Sequence, residues 1–516
     1  MQHDAENFDE QAHHADRSEV DDESEGPRLL RLIAAVRELS AEALALERTH
    51  AQKLERVHPE HALGARNLLH YLAVRQRDLR PLQADLAALG LSSLGRMERC
   101  VVETLARVEH ALHCLRGEPP ERPFFEGPLR SDAGERLLAK HTDALLGPAP
   151  KGRRTRIMVT LAPDDDGERI EALLDNGMNV ARINCAKGQP KAWQLLVDRV
   201  RQARERTEIP CSVLFDLAGP NPRTLRFDTT KKSPALAVGD RFVLATERSD
   251  VERARSTYGE LGIIGCTMPE IMAHVKPGER VLYDDGRLEG TILANERGLV
   301  LIDVVRTLKA EIKLRDERSL TFPDSQLPLP SLTEKDLEDL DFIVEHADLV
   351  GLSFVRGPSD VEVVRGELAK RGGSELGLIL KIETTSGFTE LGPLLLMAMQ
   401  HERVGVMVAR GDMAVELGYV RLAEAQEEVL WLGEAALVPV IWATQVLEKL
   451  TKKGVPSRAE VTDAAMSGRA ECVMLNRGDY INEAVVFLDE VLTRMQAHQN
   501  KKRSLLRRLS ISDLSA

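Results

Sequence analysis

Two short sequences in the second half of the chain combine residue types that could carry out metal-assisted chemistry. Lys381-Ile382-Glu383 and Arg410-Gly411-Asp412 each end a run of apolar residues. Alternate side chains of a β-strand point to the same face, so Lys381 and Glu383 would project together while Ile382 packs on the opposite side. Asp412 would add a second carboxylate, and two carboxylates with open positions suit Mg²⁺ that also holds substrate oxygens. The combination indicates phosphoryl or enolate chemistry.

Each sequence taken alone has a simpler explanation. A single Lys-x-Glu at the end of a strand is more often a solvated ion pair, because exposed pairs are common and contribute little stability. The chemical interpretation therefore depends on the other polar groups near them and on the elements that position them.

The composition limits the class of protein. The 516 residues exceed one ordinary domain, and 43% hydrophobic with 29% charged residues is typical of a soluble globular protein. No apolar run approaches the roughly 20 residues of a membrane helix. The net charge of −13 argues against nucleic-acid binding, and six cysteines without CxxC spacing predict reduced thiols in a cytoplasmic protein. An anionic substrate would need a local positive pocket.

The first part of the chain differs in character from the rest. Residues 1–26 are rich in Asp and Glu and predict a disordered acidic arm. Residues 27–150 predict a helical N-terminal extension that ends in a Pro- and Gly-rich linker over 117–151, because Leu29, Ile33 and Val36 recur at helical spacing. A turn at 89–96 between helices also fits a DNA-binding helix-turn-helix. Acidic residues flank it, so a helical cap or assembly element is favoured.

The remainder alternates short β-rich runs with amphipathic helical patterns such as 167–176 and 190–206. Eight strands with intervening helices predict an α/β protein, a parallel (β/α)₈ TIM barrel built from residues 151–223 and 323–495. The predicted strands are residues 156–161, 180–184, 212–216, 349–353, 378–381, 404–410, 439–443 and 472–476.

Residues 224–322 interrupt this rhythm. They contain strand-like runs at 241–245, 279–283 and 298–304 and no clear helix, which predicts a small inserted all-β domain, a β-barrel. An insertion after a barrel strand lies on the face that carries the active site, so we expect this domain to act as a lid.

The predicted strand ends are unusually polar for a structural barrel. Phosphoryl transfer requires positive charge on the transferred group, a metal ion and accurate positioning. Arg182, Arg223 and Lys381 could supply the charge, while Glu383 and Asp412 could supply the metal site.

These sequences, in this order, resemble the pyruvate kinase family from Arg154 to Leu492. The motifs that carry the resemblance are Arg154-Thr155-Arg156-Ile157, Gly177-Met178-Asn179-Val180-Ala181-Arg182, Asp216 with Gly219-Pro220 and Arg223, Asp284-Asp285-Gly286, Leu332-Thr333-Glu334-Lys335-Asp336, Ser353-Phe354-Val355-Arg356, Lys381-Ile382-Glu383, Met407 to Asp412, Ala443-Thr444-Gln445, Ser457-Arg458-Ala459-Glu460-Val461 and Cys472-Val473-Met474-Leu475.

The resemblance implies phosphoryl transfer from phosphoenolpyruvate to ADP in glycolysis, giving pyruvate and ATP, by a cytoplasmic homo-oligomer that uses Mg²⁺, with Mn²⁺ as an alternative. It implies a catalytic role for Lys381, Thr444 and Arg182, with Gly411 and Asp412 also contacting substrate. Glu383 and Asp412 would bind the divalent metal. Asn184 and Asp216 would form a K⁺ site. The nucleotide-binding residues would be Thr160, Pro163, Lys187, Arg223 and Arg318.

Several positions depart from the family pattern. A serine that would coordinate K⁺ is replaced by Ala186, and a Glu or Lys linked to cation dependence is replaced by Asn221, so the sequence leaves K⁺ dependence open. Leu217-Ala218 replaces the usual Lys or Thr next to Asp216. Asn476-Arg477-Gly478 replaces a Ser-Gly-Glu sequence, which would alter the nucleotide contacts.

The two ends also depart from the family. The C-terminal effector domain of typical members is not expected here, because residues 496–516 form only a short basic tail. A solvated end is the favoured interpretation of this tail, with a phosphorylation or anchoring segment as the alternative.

Two other functions remain open. One is a related barrel enzyme with a different phospho-substrate or acceptor, because the nucleotide side is the most altered. The other is a catalytically silent regulatory or scaffolding protein. The presence of Lys381, Glu383, Asp412 and Thr444 weighs against the second.

Overall fold

The computed structural model describes residues 25–118, 125, 127–227 and 233–505. Eight parallel strands form a closed barrel in which each strand pairs with the next in sequence and the last, beginning at Cys472, pairs with the first, at Arg156. The TIM barrel is therefore confirmed. Its strands are Arg156–Thr160, Val180–Asn184, Ser212–Asp216, Leu349–Leu352, Gly377–Ile382, Val404–Ala409, Val440–Ala443 and Cys472–Leu475.

Helices follow the strands around the outside, as the alternating pattern predicts. Several begin with side-chain caps: Thr333 and Asp336 form a capping box at the start of the helix Glu334–His346. The helices are Gly167–Asp175, Pro190–Thr207, Glu334–His346, Pro358–Lys370, Thr385–Thr389, Leu391–Ala398, Arg410–Leu417, Tyr419–Ala436, Glu448–Lys453, Arg458–Ser467 and Ile481–Met495.

A helix over Ser131–Leu146 closes the bottom of the barrel. Its Leu145 and Leu146 join the barrel's interior core. A Cβ added to Gly405 would lie 2.5 Å from Leu145, so the missing side chain makes room for the plug. The prediction of a linker over 117–151 was wrong here, because Pro and Gly at its two ends obscured the helix between them.

The N-terminal extension is helical, as predicted. Its elements are the helices Glu25–Thr49, Ala51–Leu54, Ala62–Val74, Arg80–Ala88 and Val101–Leu115 and the 3₁₀ turn Pro59–His61. The extension shares one continuous apolar core with the barrel. A Cβ added to Gly64 would lie 2.2 Å from the Ala436 carbonyl oxygen, so helix Ala62–Val74 lies directly against the barrel helix Tyr419–Ala436. The predicted acidic arm falls almost entirely outside the described residues.

The inserted segment, residues 224–322, has its own core. Its seven-stranded sheet contains, in order, Leu320–Thr321, Arg280–Tyr283, Leu288–Glu296, Leu299–Thr307, Arg241–Ala245, Gly262–Cys266 and Thr224–Leu225, and Ala235–Leu236 pairs separately with Ile312–Lys313. The expectation of no helix was wrong, because Asp250–Tyr258 is helical and Pro269–Ala273 is a 3₁₀ turn. Helix Asp250–Tyr258 buries only Ala254, so it has no apolar periodicity to detect.

The beginning of the basic tail packs against the protein. Gln499–Asn500 and Arg503–Ser504 form a small hairpin, the tail hairpin. Lys501 pairs with Glu471 of the barrel, and Lys502 pairs with buried Glu98 of the extension. A solvated end was therefore the wrong interpretation for these residues, while 506–516 lie outside the described part. None of the described helices is long and apolar enough to cross a membrane.

Candidate active site

The carboxyl ends of the barrel strands surround a polar cavity of about 240 Å³, the strand-end cavity. It brings together residues that are far apart in sequence, including Arg182, Arg223, Arg318, Lys381, Glu383 and Asp412. Parallel strands of a barrel all end at one face, so this convergence follows from the fold.

Lys381 lies at the centre of the buried polar groups and is 8% exposed. Its Nζ is 3.2 Å from Asp216 Oδ1 and 3.1 Å from Glu383 Oε1, and it donates a hydrogen bond of 2.6 Å to Ser353 Oγ. Burial alone would lower the pKa of Lys381, but Asp216 and Glu383 outweigh burial and raise it. The residue is therefore a fixed ammonium group.

Arg182 is paired with Asp216 at the bottom of the cavity. The Arg182 Nε donates to Asp216 Oδ2 at 2.8 Å, and its Nη1 donates to Thr160 Oγ1 at 2.9 Å. Burial raises the pKa of Asp216, but Lys381 and Arg182 outweigh burial and hold it below its ordinary value. Asp216 is an ionised anchor for two cations.

Glu383 and Asp412 face the same cavity as two further carboxylates. Glu383 is 2% exposed and its Oε2 accepts a hydrogen bond of 2.7 Å from the Phe354 N–H. Burial raises the pKa of Glu383 to about 7, with Lys381 opposing and Asp412 adding to the shift. Burial likewise raises the pKa of Asp412.

This donor set fits a divalent cation. Two carboxylates that are hard to ionise side by side would be stabilised by a cation between them. Among the described residues, no cluster of three or more acidic, His or Cys side chains forms a closed metal site. A Mg²⁺ ion bound by one or two carboxylates usually completes its shell with water and substrate oxygens.

Thr444 follows the seventh strand and has a strained backbone conformation. Its φ is +65°, a region that β-branched residues rarely adopt. Its Oγ1 accepts a hydrogen bond of 2.8 Å from the Gly411 N–H, and its carbonyl accepts one of 2.7 Å from Arg410. The Thr444 hydroxyl is therefore held next to the loop that carries Asp412.

Two cations near the ends of the inserted segment line the strand-end cavity, Arg223 just before the segment and Arg318 within it. Arg223 Nη1 donates to the Glu317 carbonyl at 3.0 Å, and Arg318 Nη1 lies 3.3 Å from Asp284 Oδ1. Both line the cavity together with Asp285. The insertion thus faces the strand ends.

A neighbouring cavity of about 410 Å³ contains the other predicted nucleotide residues, Thr160, Pro163 and Lys187. Arg182 and Asn184 line both cavities. Lys452 and Arg477 also line the second cavity and received no role from the sequence, although Arg477 stands in the altered Asn476-Arg477-Gly478 sequence.

The predicted K⁺ site offers few side-chain oxygens beyond those of Asn184 and Asp216. K⁺ is held by oxygen atoms that replace its hydration shell. The Asn184 Oδ1 accepts a hydrogen bond of 3.0 Å from the Ala186 N–H, and Asp216 is engaged by Arg182 and Lys381. Ala186 and Leu217 have no side-chain oxygen to add.

Comparison with known proteins shows what the chain resembles. The family model described as pyruvate kinase, barrel domain, matches residues 152–485, more than half of the chain. Pyruvate kinase 1 of Trypanosoma brucei brucei is 30% identical over 366 residues, covering 69% of this chain and 69% of that protein. The pyruvate kinase of Thermotoga maritima is 29% identical over 377 residues, covering 70% and 75%. That of Mycobacterium intracellulare is 33% identical over 328 residues, covering 63% and 65%.

Proposed function

The chain belongs to the pyruvate kinase family, and from that premise we propose that it transfers the phosphoryl group of phosphoenolpyruvate to ADP, giving ATP and pyruvate. The observation that supports this most is the Lys381 ammonium, held 3.1 Å from Glu383 and 3.2 Å from Asp216 at the mouth of the barrel. It provides fixed positive charge beside a carboxylate pair that suits a metal ion.

In this proposal the protein acts mainly through charge and position. Arg182 and Lys381 bind the phosphoryl oxygens and stabilise the negative charge of the transition state. The P–O bond to the enolate oxygen breaks as a bond to the terminal ADP oxygen forms. The enolate then takes one proton at its terminal carbon, and the Thr444 hydroxyl orients the water that delivers it.

Glu383 and Asp412 would hold Mg²⁺ or Mn²⁺, which neutralises charge on substrate oxygens when bound. We propose that K⁺ is not required, because Ala186 and Leu217 add no side-chain oxygen to those of Asn184 and Asp216. The homo-oligomeric state and the cytoplasmic location remain predictions.

A different acceptor is the second candidate function. Four cationic residues line the second cavity: Arg182, Lys187, Lys452 and Arg477. Arg182 pairs with Asp216, and the one acidic residue of the lining, Glu448, pairs with Lys452. The net positive charge of this cavity favours an acceptor that places negative charge there, whereas the nucleoside part of ADP is uncharged. Turnover with a panel of nucleoside diphosphates and phosphorylated acceptors would distinguish the two candidates.

The geometry weighs against a catalytically silent protein. Burying a lysine among carboxylates requires an accurate arrangement of charges, since a buried charge without partners is costly. A protein without a reaction to catalyse has no physical need for Lys381, Glu383 and Asp412 around one polar cavity.

The deciding experiment compares wild type with Lys381→Met in a coupled assay containing phosphoenolpyruvate, ADP and Mg²⁺, with and without K⁺. Lys335→Met is a matched control, because Lys335 is another barrel lysine paired with an aspartate, Asp339. We expect Lys381→Met to lower turnover by at least about a hundredfold and the control to retain it. Equal turnover in wild type and Lys381→Met would refute the proposal.

A further inference from the structure

The turn after the fourth barrel strand, Ser353-Phe354, has no role in the reaction described so far. We propose that this turn positions both Lys381 and Glu383, through the Ser353 hydroxyl and the Phe354 backbone N–H. The inference rests on the proposed function for its catalytic consequence, while its metal-binding consequence is measurable separately.

Ser353 connects Lys381 to the backbone of the neighbouring strand. Ser353 is 2% exposed, and its Oγ accepts the hydrogen bond of 2.6 Å from Lys381 Nζ. The same hydroxyl donates to the Leu217 carbonyl at 2.7 Å. A hydroxyl has one proton, so donating it to Leu217 turns the lone pairs of Ser353 toward the ammonium.

This contact matters because a lysine side chain is long and flexible. Without it, the ammonium of Lys381 would be free to move onto either Asp216 or Glu383, which lie at similar distances of 3.2 and 3.1 Å. Ser353 adds a third, uncharged contact and so defines one position between the two carboxylates. Accurate placement of this kind is a large part of catalysis by charge.

Phe354 holds the carboxylate of Glu383 in one position, as Ser353 holds the ammonium of Lys381. Its N–H donates to Glu383 Oε2 at 2.7 Å, while Oε1 is the oxygen that faces Lys381. In the turn that presents this N–H, Phe354 has a φ of +55°, a left-handed conformation that costs a residue with a side chain about 1–2 kcal/mol. The strain indicates that packing enforces the turn.

Gly219 is part of that packing. A Cβ on Gly219 would lie 2.8 Å from the Cβ of Ser353 and 3.0 Å from Cδ2 of Phe354. The loop after the third strand therefore packs closely against the Ser353-Phe354 turn, and this turn contacts Lys381 and Glu383. Strand geometry places Lys381 and Glu383 on one side, and the turn sets where their functional atoms lie.

The first test is Ser353→Ala, with Ser331→Ala as the matched control. Ser331 also lies buried in part at this end of the barrel and donates to a carboxylate, that of Asp360, at 2.6 Å. For Ser353→Ala we expect kcat to fall about tenfold to a hundredfold, with KM for phosphoenolpyruvate changed less than about threefold. A kcat within about twofold of wild type, or an equal fall in Ser331→Ala, would overturn the role of Ser353.

The second test compares Phe354→Gly with Phe354→Val, and measures the Mn²⁺ dissociation constant by electron paramagnetic resonance without substrates. Glycine adopts a positive φ without strain and keeps the N–H, whereas β-branched valine resists it. We expect Phe354→Gly to bind Mn²⁺ within about threefold of wild type and Phe354→Val to bind at least about tenfold more weakly. Equal affinities in the two variants would overturn the role of the turn.

The two proposals can fail separately. If wild type shows no turnover with phosphoenolpyruvate and ADP, the proposed function is lost, yet the Mn²⁺ comparison still decides whether the turn positions Glu383. If wild type turns over and the Mn²⁺ affinities of the two Phe354 variants are equal, the proposed function stands and the positioning of Glu383 fails.

Discussion

Asn67 is one of the buried side chains that bond the N-terminal extension to the barrel. It is 1% exposed, and its Nδ2 donates to the Glu98 carbonyl at 2.6 Å and to the Ala435 carbonyl at 2.8 Å. Its Oδ1 accepts a hydrogen bond of 2.9 Å from the Val101 N–H. One side chain thus connects two extension segments and the end of a barrel helix.

Replacing Asn67 with alanine removes all three hydrogen bonds and leaves their three partners buried. At about 1 kcal/mol for each bond, the local free energy of opening should fall by about 3 kcal/mol. Since every 1.4 kcal/mol is tenfold, amide hydrogens protected by this contact should exchange with solvent about a hundredfold faster.

Hydrogen exchange measured by mass spectrometry suits this prediction, because a chain of several units need not unfold in one step. The faster exchange is expected in the helices Ala62–Val74 and Val101–Leu115. Asn295→Ala is the matched control, since Asn295 donates to the Met272 and Val275 carbonyls inside the inserted segment. Exchange in the two extension helices that changes less than about threefold in Asn67→Ala would refute the reasoning.

Two further predictions concern other contacts of the extension, one with the barrel and one with the tail hairpin. His61 is buried, its ring bonds to the Glu402 carbonyl at 2.9 Å, and burial followed by the neighbouring His141 lowers its pKa to about 4. Below about pH 6.5 the unfolded chain binds more protons than the folded one, so the folded state loses stability as pH falls, by about 2 kcal/mol at pH 5. His61→Gln should therefore make the urea midpoint of unfolding less dependent on pH. A pH dependence of the midpoint equal to that of wild type would contradict this prediction. Lys502→Ala leaves buried Glu98 without its cation, at a cost of about 3 kcal/mol, and should therefore speed proteolysis at the tail hairpin. The control is Lys370→Ala, which removes an exposed ion pair with Glu367 and should not change the rate of proteolysis. Equal cleavage rates would contradict it.

The barrel was predictable because its strands are continuous apolar runs bounded by polar residues. A strand buried on both faces needs such a run, and the polar residues that end it must meet at one mouth. For this reason the sequence alone predicts that four polar residues lie near one another at the barrel mouth: Arg182, Lys381, Glu383 and Asp412. The helices Ser131–Leu146 and Asp250–Tyr258 were missed, the first behind Pro and Gly at its ends and the second for lack of an apolar stripe.

The sequence by itself therefore determined the order of the strands and the set of residues at the barrel mouth, because these depend on local residue order and on the period of each element. The family followed from the resemblance of the motifs. Only the tertiary structure decided where the functional atoms of those residues lie. The contacts of Ser353 and Phe354 with Lys381 and Glu383, and of Lys502 with Glu98, join residues that are far apart in the chain. Such contacts depend on backbone dihedrals and packing, which no periodicity in the sequence encodes.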